Sequence, residues 1–334
     1  MEMLMKVRQL LPLAALLASC SPATTSPSLA DTGSLTSDAG STTQDTGSSS
    51  ADANSPASDV GVPITDTGSN APGDRPLVRR VTDHTIDQVV NGENLERSFH
   101  IMAPSRIDEN INYPVLFAFH GRGGRGRNFV SSLIPFAEAG RFVAILPNGI
   151  DRGWNLGADP TQPDDLAFVD SIIDYLLQFR GLNLGRMYAL GFSNGAGLVH
   201  QLAANRSHFT AHAAMATALI EGNEPSAEVH RASFLTLHGV DDPVCPYEGG
   251  PGRVRANFIA AEASAQIWAD QLGCPRSPSE AGDTEAGNRR FVWAPCDEGH
   301  RVVHYGVVGS EHNIPRTTED GLYDLIVGFF EATP

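Results

Sequence analysis

Large apolar side chains are almost absent from residues 21–75, and from about Leu77 onward they recur with two distinct periods. Phe99–Ala103, Val115–Phe119, Phe142–Leu146, Arg186–Leu190, Phe234–Leu237 and Arg301–Val307 are short apolar runs that mostly stop at glycine or proline, and they read as strands. Asp164–Phe179 instead has apolar residues at 166, 169, 172, 173, 176 and 177, which is one face of a helix. Ala196–Ala204, Phe258–Leu272 and Glu319–Phe330 also read as helical. Buried-looking strands alternating with helices predict an α/β fold with a mostly parallel sheet flanked by helices. Ligands of such sheets sit beyond the carboxyl ends of the strands, where the glycine-rich turns of this chain fall. No second break in composition interrupts residues 76–334, so one domain is expected there.

The N-terminal quarter has a different texture. Lys6 and Arg8 precede Leu10–Ala18, about nine mostly apolar residues, which suits a secretory signal and is too short to span a bilayer. Leu17-Ala18-Ser19-Cys20 then resembles the bacterial lipoprotein box. That resemblance implies a signal peptide over residues 1–19 and lipid on Cys20, with Ser21 after it suggesting sorting to the outer membrane. Residues 20–75 are rich in Ser, Thr, Asp and Gly, and Asp31, Asp38, Asp45, Asp52, Asp59 and Asp66 recur every seventh position. The repeat lacks the two apolar positions a coiled coil needs and the clustered carboxylates of a calcium loop. It reads as a disordered linker reaching roughly 40 Å root-mean-square.

Net charge is −16; residues 1–20 contribute +1 and residues 21–75 contribute −6, which leaves −11 on residues 76–334. An acidic domain of this kind repels phosphate backbones, so no nucleic-acid partner is expected. Lys6 is the only lysine, which removes a catalytic lysine from the mature protein. No run approaches the ~20 apolar residues of a membrane span. The expected membrane contact is the lipid at Cys20, and the domain is expected to be extracytoplasmic and monomeric.

Gly191-Phe192-Ser193-Asn194-Gly195 fits the G-x-S-x-G nucleophile elbow. The pattern alone is weak; the strand before it and the helix after it give it force. His120-Gly121-Arg122-Gly123-Gly124 ends an early strand and resembles an HGGG-type oxyanion loop, in which the N–H of Arg122 would act with that of Asn194. Arg122, Arg125 and Arg127 suggest a phosphate cradle as the alternative, but glycine-rich phosphate loops have another spacing. The acid should follow the strand at 234–237, where Asp241 and Asp242 are both available. The base should follow the last strand, where His312 stands in Gly309-Ser310-Glu311-His312. No metal-ligand spacing and no dinucleotide fingerprint is present, so no cofactor is expected.

Together, His120-Gly121, Gly153-Trp154-Asn155, Asp164-Asp165, Gly191–Gly195, His238-Gly239-x-x-Asp242-Pro243 and His312 with Pro315 resemble the polyhydroxybutyrate-depolymerase and feruloyl-esterase group, related to carbohydrate esterase family one. The resemblance covers about residues 85–332. It implies an α/β-hydrolase fold and a serine esterase with Ser193, Asp242 and His312 as its triad. It also implies a disulfide between Cys274 and Cys296, leaving Cys245 free, and a substrate cleft lined by Trp154 and Asn155; a structural turn is the alternative for that pair. Asp164-Asp165 is expected to cap the following helix. Two departures affect the pocket: Gly309-Ser310-Glu311 replaces three glycines before the histidine, and Arg122 replaces a cysteine. The expected substrate is a small ester or an ester-substituted polysaccharide or polymer. The alternatives are an acetyl esterase acting on polysaccharide and a non-catalytic binding lipoprotein on a hydrolase fold.

Overall fold

The computed structural model describes residues 73–157, 162–226, 232–254, 256–314 and 321–334. The expected signal peptide, the expected lipid site Cys20, the linker up to residue 72, Pro315, and Glu319 and Asp320 at the start of the last helical run lie outside the described residues. Among these residues the strands are β1 (Arg80–Val90), β2 (Glu93–Ala103), β3 (Tyr113–Phe119), β4 (Val143–Pro147), β5 (Leu182–Phe192), β6 (Ala211–Met215), β7 (Ser233–Gly239), β8 (Gly250–Pro251), β9 (Asn257–Phe258), β10 (Glu280–Asp283), β11 (Arg289–Trp293) and β12 (Val302–Val307). The α-helices are α1 (Val130–Glu138), α2 (Asp165–Leu176), α3 (Asn194–Asn205), α4 (Ala261–Gln271) and α5 (Leu322–Glu331).

The main sheet has the order β1-β2-β4-β3-β5-β6-β7-β12-β11-β10, and β8 pairs separately with β9. Every neighbour from β4 across to β12 is parallel, while β1-β2 and β10-β11 add antiparallel pairs at the two edges. Successive side chains of a strand point to opposite faces, and β3 shows the consequence. Phe117 and Phe119 pack with Phe168 of α2, Leu198 of α3 and Trp268 of α4. Leu116 and Ala118 pack on the other face with Leu133 of α1 and Ile326 and Phe330 of α5. Full burial of each large apolar side chain contributes about 1.5–3 kcal/mol, so this three-layer packing holds the strand ends in place. The fold is that of the α/β-hydrolases.

Each run read as a strand or helix falls on such an element, with boundaries shifted by a few residues; Phe258 belongs to β9, and α4 begins at Ala261. Other elements carry little apolar signal. β1 is exposed or half-buried apart from Gln88 and joins β2 through Asn91-Gly92, whose φ values of 52° and 83° suit a type I′ turn. β6 is alanine-rich yet wholly buried, and α1 contains Pro135. Cys274 and Cys296 form a disulfide, and Cys245 is a buried free thiol.

Candidate active site

Parallel strands finish at one edge of the sheet, so the loops after β3, β5, β7 and β12 meet there. Between β5 and α3 stands Ser193 alone, at φ 52° and ψ −119°. That region costs a non-glycine residue on the order of 1–3 kcal/mol and survives where its surroundings impose it. Here the Ser193 N–H donates to the Met215 carbonyl at 2.8 Å, and its own carbonyl accepts from Thr217 Oγ1 at 2.9 Å and Gly197 N at 3.0 Å. A methyl group on Gly195 would lie 2.1 Å from the Phe119 carbonyl oxygen, so the start of α3 reaches the end of β3 only because position 195 has no side chain.

Ser193 Oγ donates to His312 Nε2 at 2.7 Å, and His312 Nδ1 donates to Asp242 Oδ2 at 2.8 Å. His312 keeps 21% of its side chain exposed, whereas that of Asp242 is fully buried. Burial alone would raise the Asp242 pKa. Hydrogen bonds from His238, His312 and the backbone N–H groups of Cys245 and Val244 outweigh it and hold the carboxyl well below the usual carboxylate range. Asp241 is exposed, and its N–H donates to Ser310 O at 3.0 Å. A methyl group on Gly239 would fall 2.1 Å from the Glu311 carbonyl oxygen, so that glycine lets the histidine loop close down on the end of β7.

The loop after β3 lies against the elbow, since a methyl group on Gly121 would stand 3.3 Å from Cβ of Ser193. Arg122 follows Gly121 in that loop, and Asn194 directly follows the serine. His120 donates from Nδ1 to Gly121 O at 2.9 Å and accepts the Gly149 N–H on Nε2 at 3.1 Å. Its burial lowers its pKa, so it is a neutral brace for the loop. An open cleft of about 570 Å³ borders this loop, with Phe192, Met215 and Asn313 among its walls. A larger hollow of about 710 Å³ lies along β10 and β11 and contains none of these side chains.

Trp154 and Asn155 do not reach the cleft wall. Trp154 is 2% exposed; its indole N–H donates to His120 O at 2.7 Å and its ring meets Phe119 edge-on. Its backbone N–H donates to Asn194 Oδ1 at 2.7 Å, and Asn194 Nδ2 returns a bond to Trp154 O at 3.1 Å. Asn155 donates its N–H to Asp165 Oδ2 at 2.6 Å. An indole buried under the loop leaves nothing for a ligand to touch, so the expectation of a cleft lining is replaced by a clasp beneath the elbow. Asp164 caps α2 as expected, accepting from Leu166 N and Ala167 N, but Asp165 does not cap. It forms a buried ion pair with Arg97 at 2.6 Å. Sequence reasoning missed that pair, for which no local signal exists. The sequence motif His238-Gly239-x-x-Asp242-Pro243 included His238 but gave it no role of its own; it lies 3.4 Å from Asp242 Oδ2.

No family profile matches the chain. It is 30% identical over 260 residues to feruloyl esterase C of Emericella nidulans, covering 73% of this chain and 88% of that protein. It is 32% identical over 166 residues to a "Probable feruloyl esterase C" of Aspergillus niger, covering 46% of this chain but only 58% of that one. Among solved structures, an acetyl xylan esterase from Aspergillus awamori superposes with a TM-score of 0.55 at 12% identity, covering 75% of this chain and 99% of that one. The strand-edge site thus sits in a carboxylic ester hydrolase, and the chain belongs to the feruloyl esterase C family.

Proposed function

We propose that Ser193, His312 and Asp242 act as the nucleophile, base and acid of a serine esterase. The observation that carries this is the unbroken hydrogen-bonded line from Ser193 Oγ through His312 to Asp242 Oδ2. On this reading His312 takes the serine proton as Oγ attacks the ester carbonyl, and Asp242 holds the Nδ1–H tautomer. The N–H groups of Arg122 and Asn194 bind the oxyanion. His312 then protonates the leaving alcohol, and water releases the acid from the acyl-enzyme by the same steps. The substrate class is an ester of a hydroxycinnamic or similar acid, free or on polysaccharide, with acetyl-polysaccharide and hydroxybutyrate esters as the variants to compare. Lipid on Cys20 would hold the domain outside the cytoplasm on a long linker, and the domain would act as a monomer.

A fluorophosphonate probe tests the nucleophile, and a panel of feruloyl, acetyl-sugar and hydroxybutyrate esters tests the substrate. Ser193→Ala should abolish labelling and lower kcat by on the order of 10⁶ without changing the unfolding curve. A non-catalytic binding protein would neither label nor turn over any ester. More than a few per cent residual activity in a clean Ser193→Ala preparation would remove Ser193 from the role.

A further inference from the structure

The cleft beside Ser193 runs against the charge of the chain. Net charge is −16, yet the ionised side chains lining the cleft, among the described residues, are two arginines, Arg122 and Arg152. No carboxylate of a described residue lines it, and neither arginine makes an ion pair with a described residue. Arg127, close by in the sequence, is already taken by Asp83 at 2.6 Å, so the three-arginine cluster considered from the sequence does not act as one.

Both cations are seated by the backbone. Asp151 and Arg152 have φ values of 47° and 61°, a conformation that non-glycine residues keep only where the structure imposes it. The Arg152 carbonyl accepts the Gly123 N–H at 2.7 Å, tying this turn to the loop that carries Arg122. The Arg122 side chain lies over Gly153, where a methyl group would stand 2.9 Å from Nη1 and 3.4 Å from Asn194 Oδ1. Arg122 therefore projects its cation beside the residue that follows the serine. The wall also carries a run of apolar side chains, Phe129, Phe192, Met215 and Ile314, with the neutral amides of Asn128 and Asn313 among them. Unpaired guanidinium groups beside an apolar wall complement a molecule with a hydrocarbon part and an anionic end.

We infer that the cleft selects esters carrying a carboxylate, which Arg122 and Arg152 hold while the apolar wall takes the hydrocarbon part. The inference rests on the esterase reading of Ser193. The carboxylate can belong to the acyl half, as in a monoester of a dicarboxylic acid, or to the alcohol half, as in an ester of a hydroxy acid or sugar acid.

Two matched pairs of substrates distinguish these sources. The first is 4-nitrophenyl hydrogen adipate against 4-nitrophenyl hexanoate. The second is the feruloyl ester of glycolate against propyl ferulate. In at least one pair the charged ester should have the higher kcat/KM, by roughly tenfold or more at low salt, and the advantage should shrink in 0.5 M NaCl, where the screening length is only about 4 Å. Arg152→Gln should cut the charged-to-neutral ratio about tenfold, and Arg152→Lys should keep part of it. Equal rates within both pairs, or a ratio untouched by Arg152→Gln, overturn the inference. Should Arg152→Gln fail to fold, the salt dependence of the wild-type ratio decides, and a ratio indifferent to salt overturns it. Fluorophosphonate labelling separates the two levels. An unlabelled protein that cleaves no ester loses both readings, whereas a labelled one that cleaves neutral esters without charge preference loses only the carboxylate subsite.

Discussion

Asp165→Ala tests the support beneath the elbow. Asp165 and Arg97 pair at 2.6 Å with side chains 3% and 0% exposed. Arg97 also donates to Gln88 Oε1 at 2.6 Å and lies 3.8 Å from the centroid of the Phe168 ring. Burial pushes the Asp165 carboxyl up and the Arg97 guanidinium down, and their mutual attraction opposes both shifts. Removing the carboxylate alone leaves a buried cation uncompensated, at a cost of about 3–5 kcal/mol. The Asn155 N–H loses its acceptor as well, about 1–3 kcal/mol more. Because Arg97 keeps Gln88 and Phe168, the lower part of the combined range applies, about 4–6 kcal/mol. At roughly 2–4 °C per kcal/mol for a domain of this size, Tm should fall by about 10–20 °C. A thermal melt followed by tryptophan fluorescence measures the shift, and urea unfolding gives the free-energy loss. Esterase activity should drop too, since Asn155 anchors the loop segment whose Trp154 clasps Asn194. The double variant Arg97→Met with Asp165→Leu removes both charges and should return to within about 3 kcal/mol of wild type, because replacing a buried pair by apolar groups is often neutral and only the Asn155 N–H is still left without its acceptor. A single variant that loses less than about 1 kcal/mol, or a double variant no better than the single, would refute this reasoning.

Asp242→Asn should lower kcat by roughly 10⁴ through the wrong histidine tautomer, while Asp241→Asn, at an exposed side chain, should change it little; reversed effects would exchange their roles. His200 and His304 are held neutral, their pKa values pushed down to about 4 and about 3 by burial. Unfolded histidines titrate near 6.5, so below that pH the unfolded state gains protons that the folded state refuses, and stability should fall by up to about 1.4 kcal/mol per pH unit for each. Urea midpoints at pH 7.5 and pH 5 check this, and equal midpoints would contradict it. An azido fatty acid fed to cells making the protein should tag the wild type and not Cys20→Ala; untagged protein in the medium would favour a plain signal peptide.

The sequence reveals best what recurs locally. Apolar runs ending in glycine mark β3, β5 and β7, and the loops after them carry His120, Ser193 and Asp242. β6 hides because Ala211–Met215 is buried through alanine, which forms a central strand without the branched side chains that mark one. β1 hides for the opposite reason, as an edge strand with little apolar surface; its Asn91-Gly92 turn was the available sign. Trp154 shows a deeper limit. Its position in the motif is evident, but whether an indole faces a cleft or the core depends on His120 and Phe119, residues 34 and 35 positions away in the chain. Arg97 and Asp165, 68 residues apart, meet only once the sheet and α2 have packed.

The surroundings of Asp242 bear on where the proton goes in the proposed reaction. Its Oδ1 accepts the N–H groups of Val244 and Cys245 at 2.8 and 2.9 Å, and its Oδ2 faces His312 at 2.8 Å. His238 lies 3.4 Å from Oδ2, but its Nε2–H points mainly to the Cys245 carbonyl at 2.8 Å. The acid loop thus closes on itself: Cys245 gives its N–H to the carboxylate and accepts a hydrogen bond from His238 Nε2–H on its carbonyl. Backbone donors fixed in this way set the plane of the carboxylate before any substrate arrives. They also stabilise its charge, so Asp242 stays ionised when His312 acquires the serine proton, and the positive charge remains on the imidazole. Asp241 cannot take over, because its own N–H is committed to Ser310 O and its side chain lies in solvent. The one-residue difference between the two aspartates is therefore a difference between a carboxylate built into the loop and one that merely sits upon it.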